Sequence, residues 1–223
     1  MPRPPDAIVV HLTSGVRDLS AARWQRRILH AAPGRAVERI EETGGVFVLK
    51  WRDDREDDRE ALLYGELAPD VLTLLGAPRL LARGRWDQTH LLFLAWVAGH
   101  HADFGRAADV ALTFEHLGRV HGHTARLLAR SPAAVGTAAV RAEIGAPAAP
   151  DGRDLVLDPG DLRGENVLIR PDGGVTRIDY EGMGVRPRTD AFESCAALLP
   201  PALRGVGHTA YRRGYCQETA PAM

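Results

Sequence analysis

The residues that carry the clearest chemical signal in this sequence are Asp161, Asn166 and Asp179. The first two share one short segment, Asp161-Leu162-Arg163-Gly164-Glu165-Asn166, between two apolar runs that read as strands, Leu155-Val156-Leu157 and Val167-Leu168-Ile169. Asp179 follows the next run, in Ile178-Asp179-Tyr180-Glu181-Gly182. A hairpin formed by the second and third runs brings two carboxylates and an amide oxygen toward one small volume. These are hard oxygen donors of the kind Mg²⁺ prefers, and Mg²⁺ is the ion that phosphate chemistry needs.

Two residue types are used once. The basic residues are almost all arginine, and Lys50 is the single lysine; Asn166 is the single asparagine. Arginine replaces lysine in most surface roles, so an isolated exception invites a chemical reason. A lysine is a compact cation on a flexible stem, where guanidinium is broad and planar. An aspartate in place of Asn166 would add charge beside a metal and lose the amide's donors.

These residues need elements to position them. Arg35-Ala36-Val37-Glu38-Arg39-Ile40-Glu41-Glu42 alternates, breaks at Thr43-Gly44-Gly45 and resumes as Val46-Phe47-Val48-Leu49-Lys50-Trp51, which predicts a hairpin with Lys50 near its far end. Residues 57–68 have near-helical apolar spacing, ended by Pro69. Residues 78–83 and 90–97 read as strands, and 18–30 fits either a helix or a first strand. From Ala107 to Arg130 the apolar residues recur at the 3.6-residue period of a long helix. Residues 131–153 form an Ala/Pro/Gly-rich loop with room for one short helix, and helices are expected over 190–199 and 202–215.

Pro159-Gly160-Asp161-Leu162-Arg163-Gly164-Glu165-Asn166 resembles the catalytic loop of the aminoglycoside phosphotransferase family, usually His-Gly-Asp-x-x-x-x-Asn, and more distantly that of protein kinases. Ile178-Asp179-Tyr180-Glu181 resembles the family's metal-binding motif, and Val48-Leu49-Lys50 its nucleotide-contacting strand. The resemblance spans about residues 36–199. It implies Asp161 as the base or orienter for an acceptor hydroxyl, Asn166 and Asp179 as the Mg²⁺ ligands, and Lys50 as the grip on the ATP α- and β-phosphates. It also implies Glu60 as the partner that aims Lys50, with Glu66 a rival. Arg163 is a candidate for stabilising charge on the transferring group. Asp190 resembles a buried helix-start acid that braces the catalytic loop, though an N-cap explains it equally. Gly34 stands in the short turn expected to cover the phosphates, and Ala95 and Val97 lie in the connecting segment expected to face adenine.

Three departures qualify this resemblance. Pro159 replaces the family's histidine, so any hydrogen bonding by that histidine is absent or supplied by a neighbour. The phosphate-covering turn has one glycine. The stretch after Gly182 is short, which abbreviates the acceptor site. The implied fold is α+β and two-lobed like a protein kinase. An N-terminal antiparallel sheet with one helix binds nucleotide over residues 1–96, and a mainly helical catalytic and substrate lobe covers 97–223. The implied reaction is ATP- and Mg²⁺-dependent transfer of a γ-phosphoryl group to a hydroxyl. The acceptor is an aminoglycoside-like antibiotic or other small metabolite, met by Asp151, Asp154, Asp158 and Glu181 if cationic. Two alternatives stay open: a peptide Ser/Thr kinase and a catalytically silent binding module.

Composition narrows the partners. A formal charge of -1 over 223 residues offers no general grip on nucleic acid or anionic lipid. No apolar run approaches the ~20 residues of a membrane span, and no secretory leader is evident, so a cytoplasmic location is expected. Cys195 and Cys216 are expected to be reduced. His121 and His123 stand two apart on the long helix, so their rings diverge. Oligomeric state is not encoded in any pattern here.

Overall fold

The computed structural model describes residues 3–14, 24–42, 44–53, 59–150 and 152–219. The chain divides into two compact units, one comprising Met1–Ala61 and Pro78–Trp96, the other Leu62–Ala77 and Val97–Met223.

The first unit is built on a five-stranded antiparallel sheet. Its strands are β1 (Gln25–Ala32), β2 (Arg35–Glu42), β3 (Gly45–Asp53), β4 (Leu80–Trp86) and β5 (Thr89–Ala95), in the order β1-β2-β3-β5-β4. Alternation in β2 turns Ala36, Glu38 and Ile40 to the buried face, where they meet Leu49 and Trp51 of β3 and Leu91 and Phe93 of β5. Val9 of helix α1 (Asp6–Thr13) completes this core. Glu38 is fully buried and accepts hydrogen bonds from Arg3, Arg26 and Trp51, with Arg3 Nη2 at 2.6 Å, Arg26 Nε at 2.9 Å and Trp51 Nε1 at 2.9 Å. Burial alone would raise its pKa, but these donors outweigh that effect and hold it below the usual carboxylate range. The cluster fastens the N-terminal segment to the sheet. Lys50 lies on the middle strand, opposite Val37 on one side and Leu92 on the other.

The second unit is organised around helix α4 (Ala107–Arg130). Its buried stripe, including Val110, Phe114, Leu117 and Leu128, follows the expected period. Helix α7 (Arg204–Thr219) packs closely along α4 because Gly118, Gly122 and Gly214 leave no side chain between the backbones. Among the described residues the other α-helices are α2 (Arg59–Glu66), α3 (Pro69–Leu74), α5 (Ala138–Glu143) and α6 (Arg188–Ala196), and α2 runs across the division between the units. Two small antiparallel sheets carry the segments with chemical residues. One pairs β7 (Leu155–Asp158) with β10 (Gly184–Pro187); the other has the order β6 (His100–His101), β8 (Val167–Ile169), β9 (Val175–Arg177).

Most expected elements are present, with instructive differences. Within the ambiguous 18–30 stretch, Gln25–Ala32 is a strand, and residues 15–23 lie outside the described set. Pro69 does more than stop α2; it occupies the first turn of α3, where its missing N–H costs nothing. Helix α1 and strands β6 and β10 were not anticipated. His100 and His101 are exposed and pair with Ile169 and Leu168.

Candidate active site

In the first unit, Lys50 and Glu60 meet. Lys50 Nζ lies 2.6 Å from Glu60 Oε1, and the two side chains are only 17% and 11% exposed. Both belong to the same unit, Lys50 on β3 and Glu60 in the first turn of α2. Gly34 forms a two-residue turn with Pro33. Proline presets φ near -65°, and Gly34 takes φ +75°, a conformation that side-chain-bearing residues resist. Its carbonyl accepts the Asp53 N–H at 2.7 Å. Ala95 closes β5, and its N–H is already given to the Arg79 carbonyl at 2.9 Å. Trp96 ends the first unit beneath the guanidinium of Arg39, 4.8 Å from its ring centre. Val97 opens the second unit and is half-buried.

In the second unit, the register of one short hairpin assembles the polar residues. Val167 pairs with Arg177, Leu168 with Thr176 and Ile169 with Val175. The pairing continues one step beyond the strands, where the Ile178 N–H donates to the Asn166 carbonyl at 3.1 Å. Asn166 and Asp179 are thereby held at the same end of the β8–β9 ribbon. A single 3₁₀ turn, Gly164–Asn166, leads into β8 and returns the chain toward Asp161. Asn166 Nδ2 donates to Asp161 Oδ2 and to the Asp161 carbonyl, each at 3.3 Å. Arg163 Nε stands 3.2 Å from Asp161 Oδ1, in a pair whose side chains are 62% and 43% exposed.

The donor set suits a hard divalent cation. Asn166 spends its amide N–H on Asp161, which leaves its amide oxygen as an acceptor. Asp179 uses Oδ1 to accept the Glu181 N–H at 3.0 Å, which leaves Oδ2 available. Among the described residues no three His, Cys, Asp or Glu side chains gather as a metal-ligating group. A cation here would therefore take one amide and one carboxylate oxygen and complete its shell from water and ligand, the incomplete protein cage typical of Mg²⁺.

No model of a known protein family matches the sequence, and no curated protein does so. Solved structures do match. The macrolide 2'-phosphotransferase of Brachybacterium faecium, as apoenzyme, aligns over 95% of this chain and 87% of its own, with a TM-score of 0.60 and 17% identity. A spectinomycin phosphotransferase in complex with ADP and spectinomycin aligns over 96% and 80%, with a TM-score of 0.62 and 9% identity. This chain has the aminoglycoside phosphotransferase fold. The same protein-kinase-like architecture extends to a choline kinase of Cryptosporidium parvum, aligned over 96% and 79% with a TM-score of 0.55 and 9% identity.

Within this phosphotransferase fold, several sequence expectations need correction. Asp190 neither braces the loop nor caps α6. It is exposed inside the first helical turn, and the N-cap position belongs to Pro187. Two of the four acids expected to meet a cationic acceptor, Asp158 and Asp154, are engaged within the chain. Asp158 is 1% exposed, accepts the Gly160 N–H at 3.0 Å and faces Arg186 Nε at 3.5 Å. Asp154 is ion-paired with Arg188 at 2.6 Å, and Asp151 lies outside the described residues. Burial raises the Asp158 pKa, and its Gly160 hydrogen bond and the nearby Arg186 and Arg177 only partly oppose that rise.

Arg177 escaped sequence reasoning. It is 1% exposed, and its Nη2 donates to the carbonyls of Pro159 at 3.3 Å and Asp161 at 3.1 Å. The only available signal was an arginine in an otherwise apolar strand, Val175-Thr176-Arg177-Ile178.

Proposed function

We propose that this chain is an ATP-dependent phosphotransferase that acts with Mg²⁺ on a hydroxyl of a small molecule. The observation that carries this reading is the convergence of Asp161, Asn166 and Asp179 through the β8–β9 register and the Asn166–Asp161 hydrogen bonds. Phosphotransferases that share the fold act on macrolide or spectinomycin, which supports a small-molecule acceptor here.

In the proposed reaction Asp161 accepts a hydrogen bond from the acceptor hydroxyl and orients its oxygen toward the γ-phosphorus. The new O–P bond forms as the bond from the γ-phosphorus to the bridging oxygen of ADP breaks, and the hydroxyl proton passes to Asp161. Asn166 keeps the Asp161 carboxylate turned outward through its amide. Lys50, aimed by Glu60, binds the α- and β-phosphates, and Arg163 leaves its exposed pairing with Asp161 to meet charge on the transferring group. Asn166 and Asp179 would hold Mg²⁺, which would supply neutralisation of phosphate charge. The Ala95 N–H is engaged within the sheet, so the donor to adenine falls to Val97, with Ala95 supplying apolar wall. The Gly34 turn contributes backbone near the phosphates but is too short to wrap them.

The test is transfer from γ-labelled ATP to a panel of hydroxylated antibiotics and metabolites beside a pool of Ser/Thr peptides. Label on a small molecule, abolished by Asp161→Ala with nucleotide binding retained, supports the reading. Label on peptides alone replaces the acceptor class. Nucleotide binding without transfer to any acceptor, or to water, identifies a silent module.

A further inference from the structure

Arg177 is a charged side chain in a place where an apolar one would be cheaper. It sits on a strand whose other residues, Val175 and Thr176, are also buried, and it has no ion-pair partner within 4 Å among the described residues. Its Nε and Nη1 have no hydrogen-bond partner. A buried guanidinium with so little compensation is an expensive way to fill a core, because a hydrophobic side chain of similar volume is commonly as stable or better. What Arg177 does make is specific. Its Nη2 donates to two carbonyls, those of Pro159 and Asp161, on either side of Gly160.

Those carbonyls flank Gly160, which takes φ +88°. Their dipoles form a small negative niche, and a planar cation fits it. Any side chain at 160 would run into the backbone of Gly182. Arg177 and Asn166 both donate to the carbonyl of Asp161, the residue whose side chain carries the proposed chemistry, and Asn166 also reaches its carboxylate.

We propose that Arg177 is a positioning residue for Asp161. It supplies the hydrogen bonding that Pro159, standing where the resembled motif has histidine, lacks, and that Asp190, being exposed, does not provide. The inference rests on the phosphotransferase reading of the site. Its geometric part, that Arg177 orders residues 159–166, is testable without turnover.

The experiment compares the full-length chain with Arg177→Met and Arg177→Lys, using MgATP as the probe. Three readouts are taken: kcat and KM for ATP with water or an identified acceptor, melting temperature, and amide hydrogen exchange. Expected for Arg177→Met is a fall in kcat of about tenfold to a hundredfold, the scale of an ångström-sized misplacement, with KM within about twofold. Exchange should quicken over 159–166 and stay unchanged in β1–β3. Arg177→Lys, which keeps one long donor, should recover part of both. Unchanged kcat and loop exchange in Arg177→Met would overturn the proposal, as would faster exchange spread evenly over the second unit. If Arg177→Met does not fold, Arg177→Gln, with its shorter amide donor, is judged by the same two criteria. If the wild type turns over no ATP, the phosphotransferase reading fails by itself, and loop-confined exchange still decides whether Arg177 positions the segment.

Discussion

The Lys50–Glu60 pair permits a test in which stability and activity should part company. At 2.6 Å, opposite unit charges in an effective dielectric near 20 attract by roughly 6 kcal/mol. Desolvation of two groups that retain only 17% and 11% of their side-chain exposure returns most of that, leaving a net of about 1–3 kcal/mol, between exposed and fully buried pairs. Glu60→Met and Lys50→Met should each lose about this amount, because each takes from the other charge its 2.6 Å partner. At about 2–4 °C per kcal/mol for a chain of this size, the melting temperature falls by roughly 3–10 °C. The double variant removes both charges and should regain most of the loss. Activity should not follow. Lys50→Met is expected to reduce kcat/KM for ATP by about two to three orders of magnitude, the scale of losing a donor to transition-state charge. Glu60→Met should reduce it by about tenfold to a hundredfold through misaiming, and the double variant should remain as inactive as Lys50→Met. A thermal-shift series and steady-state kinetics on four proteins complete the cycle. Recovery of activity together with stability in the double variant, or wild-type kinetics in Lys50→Met, would refute the assignment of Lys50 to the phosphates.

Other features give shorter tests. Gly160→Ala combines a φ of +88° with a steric clash against Gly182, so a loss of at least about 2 kcal/mol and of transfer activity is expected; an unaltered melting curve would contradict the packing described. Arg163→Ala removes an exposed pair and should change stability by less than about 0.5 kcal/mol while lowering kcat by about tenfold to a hundredfold; equal kcat would return Arg163 to an ordinary surface role. Burial lowers the pKa of His116 to about 4 and of His121 to about 3. Both are neutral in the folded chain and gain protons on unfolding below about pH 6.5. Their stabilisation is complete above that pH and is lost as pH falls toward 4, with a limiting slope of roughly 1.4 kcal/mol per pH unit for each. His121→Phe should roughly halve the acid-side slope of a melting-temperature profile from pH 7 to 4.5, and an unchanged slope would show that other groups dominate.

The legible parts of this chain are those where a local period or a one-off residue type carries the signal. Helix α4 was readable because its apolar stripe holds the 3.6-residue period from Val110 to Leu128, and β2–β3 because alternation meets a glycine turn. Lys50, Asn166 and Asp179 stood out by scarcity and spacing. Strands β6 and β10 were hidden because His100-His101 and Gly184-Val185-Arg186-Pro187 have no pattern of their own. They become strands by pairing with β8 and β7, a tertiary choice that local propensity cannot reveal. Helix α1 was missed for a related reason. Its short apolar run acquires helical meaning only through Val9, which packs into the sheet core.

Arg177 and Asp190 show where motif reading fails at the site itself. A motif fixes which residues touch the reacting atoms, but the groups behind them are chosen by whatever the backbone leaves unsatisfied. The carbonyls of Pro159 and Asp161, on either side of Gly160, both face Arg177 Nη2, and carbonyls taken from water require donors. A proline at 159 lacks a side-chain donor, and Asp190, even if buried, offers only acceptors when ionised. The demand is therefore for a buried donor able to span two oxygens. The strand that leads to Asp179 carries an arginine two residues before it, and its Nη2 reaches both oxygens. Where a support of this kind is supplied by a different element, its position moves in sequence while the chemistry it serves stays put, which is why the acid and the amide were readable and the arginine was not.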